Sequence, residues 1–302
     1  ILCGFIYLAN IGKFASYKKS GLGLTALSNN SAEFFKKQGL RGPIFNGFDI
    51  GSYLIYHLYP VEKVFIDNRS EAYSAPFLKN TYLAIKENED KWQEALESYK
   101  FNAILFYLYE SDFRQFLYRR IHDPSWRLVY ADSHAVILLR NNQGNAEVIK
   151  RFEITRRNAE QKLNFLLESE NYENLVAAAD VFNLLDRSDL AKKTFLRVVE
   201  KWPEKGKIWM LLGEMEYNRD SNSAVIYLEK SIAAGHNTPE AYDYLGRAYL
   251  WTHQYKKAQD AFQTALKIDP DYRERAYLKQ LLQWLWFQNS NGGDKLPDDL
   301  KI

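Results

Sequence analysis

AYDYLGRAYLWTHQYKKAQDAFQTALKIDP, residues 241–270, is the stretch on which the reading of the fold turns. Its apolar and small residues fall at Tyr242, Leu245, Gly246, Tyr249, Tyr255, Ala258, Phe262 and Ala265, and Pro270 closes it. The spacing is helical on both sides of a short polar break at Thr252–Gln254. The same pattern recurs upstream. Ala191, Ala224 and Ala258 stand 33 and 34 residues apart, each followed four residues later by Phe195, Leu228 or Phe262. Prolines follow the first and third alanines, at Pro203 and Pro270. A period near 34 residues predicts an array of helix-turn-helix units.

The 242–270 copy resembles the tetratricopeptide repeat at nearly every signature position. Each choice has a packing reason. Gly246 and Ala258 are small where the two helices of one unit approach, larger side chains fill the surrounding gaps, and Pro270 stops the second helix. The middle copy keeps Trp209, Leu212, Gly213, Ala224, Leu228 and Ser231, with one residue fewer between its helices. In place of its proline stands Gly235-His236-Asn237, a turn that can end a helix through positive φ. The first copy has Ala179 in place of the glycine and keeps Leu175, Phe182, Ala191, Phe195, Val198 and Pro203. Residues 145–168 and 271–288 predict flanking helices, the second a cap rich in leucine and tryptophan. The resemblance implies binding of proteins or peptides. Helix A residues line the concave face of such stacks, which places Asn174, Glu214, Tyr244 and Arg247 there as candidates for holding an extended peptide. Arg247→Ala is expected to leave folding intact.

At 302 residues the chain has length for two domains. Forty basic residues against 38 acidic ones make no nucleic-acid footprint. A single cysteine, Cys3, excludes an internal disulfide framework and a multi-cysteine metal site. The five histidines are scattered without HxxxH or HExxH spacing, and Gly21-Leu22-Gly23 follows no strand. No cofactor or metal is expected. Residues 1–11, ILCGFIYLANI, carry no charge and read as the end of a transmembrane helix, with a core helix as the alternative. Lys13, Lys18 and Lys19 follow it, a bias toward the cytoplasmic side when taken alone.

Residues 31–141 alternate in type. A helix opens near Ser31, a plausible cap, and a short strand runs from Pro43 to Asn46. A helix then runs to Leu58, with Asp49 placed to cap it. KVFID (63–67) reads as the next strand, 75–99 as helix in one or two pieces, AILFY (103–107) as a buried strand and 112–121 as helix. Trp126–Tyr130 and Ala135–Arg140 form a hairpin. The succession predicts a small α/β domain with a largely parallel sheet and an antiparallel edge, followed by an all-α repeat solenoid. Ligands of such sheets sit at the carboxyl ends of the strands, where Asn46, Asp49, Asp67 and Arg69 fall.

GPIFNGFDIGSYLIYHL (42–58), VFIDNRSEAY (64–73), YKFNAILF (99–106) and WRLVYADSHAVILLR (126–140) occur in that order. The series resembles the extracytoplasmic C-terminal domain of bacterial polytopic membrane glycosyltransferases of the GT-C type, which use polyprenyl-phosphate sugars. The matches are Asn46, Asp49, Gly51, Tyr53, Leu54, Val64, Phe65, Ile66, Asp67 and Arg69. Ser52 and Asn68 depart from it where glycine is usual, and asparagine tolerates positive φ. The resemblance implies a membrane protein whose catalytic carboxylates lie in loops between early membrane helices, outside this sequence. The expected function is therefore a non-catalytic portion on the periplasmic side, membrane-linked through its N-terminal segment, whose repeats bind a protein partner. The alternative is a soluble repeat adaptor with an accessory α/β domain. Asp49, Asp67 and Arg69 have two readings, as a fastening of strand ends or as a site in which Arg69 binds phosphate or carboxylate. The expected organisation is a membrane-helix end (1–12), a linker (13–29), the α/β domain (30–142), the repeats (143–290) and a disordered tail (291–302).

Overall fold

The computed structural model describes residues 30–169 and 171–291. The expected membrane-helix end and linker and the tail beyond Asn291 lie outside the described residues; Asn291, the first residue of the expected tail, ends a helix. Among the described residues, no helix is long and apolar enough to cross a membrane. The chain divides into two compact units between Arg187 and Ser188. By compactness the segment 143–187 therefore goes with the α/β elements, whereas repeat spacing groups it with the array.

The first unit is built on a four-stranded sheet of order β1-β2-β4-β3. These strands are β1 (Ile44–Asn46), β2 (Ala103–Tyr107), β3 (Trp126–Ala131) and β4 (Ala135–Arg140). β1 and β2 are parallel, while β2–β4 and β3–β4 are antiparallel. The expectation of a largely parallel sheet is thus corrected: the hairpin makes up half the sheet, with β4 central beside β2. The second correction removes a strand. Residues 63–67 form no ladder, because the Phe65 amide donates to the Asn46 side chain (2.8 Å) rather than to a neighbouring strand.

Period-two alternation feeds both faces of this sheet. Ile44, Ala103, Leu105, Ile137 and Leu139 pack with Phe35 from α1 (Asn30–Lys37), Leu54 from α2 (Gly51–Leu58) and Ile149 from α5 (Ala146–Phe152). The opposite face is aromatic. Phe45 lies 5.2–5.5 Å, centroid to centroid, from the rings of Phe65, Trp92, Phe101, Phe106 and Phe116. Trp92 and Phe116 come from α3 (Glu89–Tyr99) and α4 (Arg114–His122). The expected 75–99 helix is interrupted at Asn88, whose side chain accepts from the amides of Asp90 and Lys91 and starts α3 afresh. Before it, residues Leu78–Leu83 form a π-helical turn. Ser31 lies inside the first turn of α1, where its hydroxyl meets Tyr53 Oη at 3.4 Å. The last helix of this unit is α6 (Tyr172–Leu184).

Among its described residues the second unit is built of helices alone: α7 (Ser188–Lys201), α8 (Gly206–Glu216), α9 (Ser221–Ala233), α10 (Pro239–Trp251), α11 (Tyr255–Ile268) and α12 (Arg275–Asn291). Each helix packs chiefly on its sequence neighbours, and α8 also meets α10 across the repeat. The helix pairs meet at glycines, as their spacing predicts. A Cβ on Gly246 of α10 would fall within the Phe262 ring of α11, and one on Gly213 of α8 would strike Leu228 of α9. The turns differ between copies. His253 adopts φ 58° between α10 and α11, whereas Asp220 opens α9 by accepting from the Ser223 amide. Gly235 has φ +84°, the positive value expected of the turn that replaces a proline.

Candidate functional site

In the first unit three of the four candidate residues, Asn46, Asp67 and Arg69, form a brace behind β1. Asn46 is fully buried, and its amide oxygen accepts from the backbone of Phe65 and Ile66. Its Nδ2 donates to Gly47 O and Ile66 O, both at 2.7 Å. Gly51 lets α2 press onto the same segment, since a Cβ there would collide with Ile66 O and Asp67 Cα. Asp67 Oδ1 accepts from the amide and Nε of Arg69 (3.0 and 2.9 Å), and Oδ2 accepts from Arg69 Nη2 (2.7 Å) and Tyr73 Oη (3.0 Å). These bonds, Arg69 first, hold the Asp67 carboxyl down at about 2. Ser52 and Asn68, the two departures from the glycosyltransferase pattern, answer each other: Ser52 Oγ donates to Asn68 Oδ1 at 2.5 Å. Asn68 has no positive φ.

Asp49 stands apart from this brace. It is exposed and does not cap α2, whose N-cap residue is Ile50 with no side-chain bond. Instead it borders a cavity of about 440 Å³ at the carboxyl ends of the parallel strands β1 and β2. Phe48, Tyr82, Tyr109, Glu110 and Phe113 share its wall. Glu110 packs its carboxylate on Gly47, where a Cβ would clash with it. Burial, then the charge of Asp49, push the Glu110 carboxyl up to about 8. Burial, above all, raises the Tyr82 hydroxyl, which has no hydrogen-bond partner of normal geometry among the described residues; the Phe48 backbone pulls weakly the other way. Sequence reasoning named Asp49 and passed over Glu110, although Glu110 follows AILFY within three residues. The strand-end rule applied to β2 as well as β1 would have found it.

In the second unit, Glu214, Tyr244 and Arg247 come together on successive first helices of the repeats. Tyr244 Oη donates to Glu214 Oε1 at 2.7 Å, which links α10 to α8. The rings of Tyr217 and Tyr244 lie 5.5 Å apart. Arg247 binds both carboxylate oxygens of the buried Asp243 (2.7 and 3.2 Å) and lies 5.0 Å from the Tyr277 ring of α12. Tyr272 Oη donates to the same carboxylate at 3.2 Å. Arg247 is therefore structural at its guanidinium, and its removal would strand a buried carboxylate. Asn174 belongs to the first unit, where its Nδ2 donates to Ser169 Oγ at the start of α6.

Residues 239–272 match the tetratricopeptide repeat family and form such a repeat. Solved structures with which the chain shares similarity include a crystal structure of MamA (19% identity, TM-score 0.40), covering 50% of this chain and 87% of that one. MamA residues 41 to end from Desulfovibrio magneticus RS-1 give 22% identity and a TM-score of 0.38, covering 49% and 84%. The first TPR domain of human RPAP3 gives 14% identity and a TM-score of 0.36, covering 40% and 96%. No curated protein matches the chain in sequence.

Proposed function

We propose that this protein is an interaction adaptor whose tetratricopeptide repeats hold an extended peptide, with the α/β unit as an accessory domain. One observation carries the reading. Glu214, Tyr217, Tyr244 and Tyr277 form a half-exposed row contributed by α8 and the residue that follows it, α10 and α12. Such a row presents hydrogen-bonding and aromatic groups at successive steps of the array, a geometry suited to a chain laid across it. Arg247 is neutralised by Asp243, so Glu214 is the charged group within the row itself, and it favours a peptide with a basic residue beside it. Selection of peptides from a random display library on the whole chain tests this. Enriched peptides should carry Lys or Arg and bind Glu214→Gln/Tyr217→Ala at least about tenfold more weakly, the loss of roughly 1.4 kcal/mol. Equal binding by parent and variant would remove the reading.

A second reading places the protein at a membrane, its α/β unit the non-catalytic periplasmic part of a glycosyltransferase-like protein. The interlocking of Asn46, Gly51, Asp67 and Arg69 favours it, since these motif residues serve one another. Its test is the reading frame upstream of Ile1: about ten hydrophobic spans would support it, and a start codon near Ile1 would rule it out.

A further inference from the structure

We infer that the cavity between Asp49 and Glu110 is a binding site for an organic cation, a guanidinium group on a short apolar stem. Three independent features point to a ligand. The first is the wall. Phe48, Tyr82, Tyr109 and Phe113 supply aromatic surface, and Asp49 and Glu110 supply two carboxylates at the same opening. Aromatic faces beside carboxylates attract a cation and reject an anion. The second is Tyr82, only 3% exposed, a residue of the cavity wall whose buried hydroxyl has no hydrogen-bond partner of normal geometry among the described residues. A buried hydroxyl is satisfied in most proteins, so an orphan on a residue of the cavity wall calls for an explanation, and a group bound beside that wall supplies one. The third is local backbone. Tyr82 and Leu83 lie on the π-helical turn Leu78–Leu83, a rare conformation that recurs at functional sites.

The electrostatics favour a cation and the geometry favours an organic one. Glu110 faces Asp49 and Asp112, while the ring hydroxyls of Tyr82 and Tyr109 and the Tyr107 amide are its neutral neighbours. Lys86, the nearby cation, is held by Asp112 at 3.5 Å, and among the described residues Asp49 has no ion-pair partner. Among the described residues, no group of three His, Cys, Asp or Glu side chains is arranged to hold a metal ion. A cavity of about 440 Å³ instead accommodates a ligand of several heavy atoms. A guanidinium fits the donors required, because its fork can reach two carboxylates while its plane lies on an aromatic ring. With its carboxyl raised to about 8, Glu110 is largely protonated at pH 7. A bound cation favours the charged form, so binding releases a proton.

Isothermal titration of the whole chain tests this with three probes: agmatine, N-acetyl-arginine methylamide and glucose. Saturable binding of at least one guanidinium probe is expected, with proton release at pH 7 detected from buffers of different ionisation enthalpy. Affinity should rise between pH 7 and pH 9, where guanidinium stays charged. Agmatine binding alone identifies a free small cation; binding of the blocked arginine identifies a side chain on a peptide. Glu110→Gln and Asp49→Asn should each weaken binding about tenfold or more, as loss of a charge-assisted contact requires. Tyr82→Phe removes an orphan hydroxyl, so it should melt at or above the parent temperature while weakening binding. Failure of both guanidinium probes to bind, equal binding of glucose, or unchanged affinity in folded Glu110→Gln and Asp49→Asn would each overturn the assignment.

Discussion

Gly246 illustrates how much one residue decides. A Cβ at this position would enter the ring of Phe262, which is itself fully buried. Leucine there must push α10 away from α11 or force Phe262 off its rotamer. Gly246→Leu is expected to destabilise by about 1–3 kcal/mol, and by more if the helices separate. Thermal melting of parent and variant checks it, and an unchanged melting temperature would refute the packing. Arg247, one position along, has the opposite character. The resemblance to the repeat architecture implies that it is a concave-face contact for peptide, yet its guanidinium is committed to Asp243. Its expected neutrality on substitution gives way to a loss of stability, because Asp243 would keep only the Tyr272 hydroxyl.

At the scale of elements, the segment Lys63–Arg69 shows side chains replacing a ladder. Its amides bond to Asn46, and Asp67 turns the chain by gathering Arg69 and Tyr73. This arrangement has a pH signature. The Asp67 carboxyl is depressed to about 2 in the folded protein, so the stabilisation is present above the unfolded value near 4. It fades as pH falls from about 4 through about 2. Asp67→Asn should therefore lower stability in urea titrations at pH 6, with the gap between parent and variant closing by pH 2. A constant gap would mean that the aspartate charge does not organise the segment. Arg69 is more than half exposed, so added salt should weaken its share of the effect.

At the scale of the molecule, the two units are held by different kinds of contact. The first depends on distant pairings, such as Ile44 beside Ala103 and Ala103 beside Leu139. The second grows by neighbours, so its end needs a cover. α12 supplies it with Leu278, Leu281, Trp284 and Leu285, all buried in the same cluster as Phe262. Truncation after Arg273 removes these four side chains, each worth roughly 1.5–3 kcal/mol of burial. The shortened chain should melt earlier and self-associate, as melting and light scattering would record. Equal stability and a monodisperse shortened chain would show that α12 is not a cap.

The repeats were legible in sequence because their contacts are local: Gly246 meets Phe262 sixteen residues away, and the 34-residue period repeats that meeting. The positive φ of Gly235 and the strands at 44–46 and 103–107 were legible for the same reason, since turn chemistry and alternation act over a few residues. The direction and order of strands were not. β4 pairs with β2 across some thirty residues, and no local pattern says that the hairpin enters the sheet by its second strand. Nor does any short pattern reveal that Asn46 takes the bonds a strand at 63–67 would need. The motif Asn46, Asp67 and Arg69 was visible as a set, while its work as a brace emerged from side-chain hydrogen bonds between separated segments. The cavity belongs wholly to tertiary structure. Asp49, Tyr82 and Glu110 lie on three separate stretches; the parallel pairing of β1 with β2 brings the first and last to one opening, and the π-helical turn adds Tyr82 to its wall.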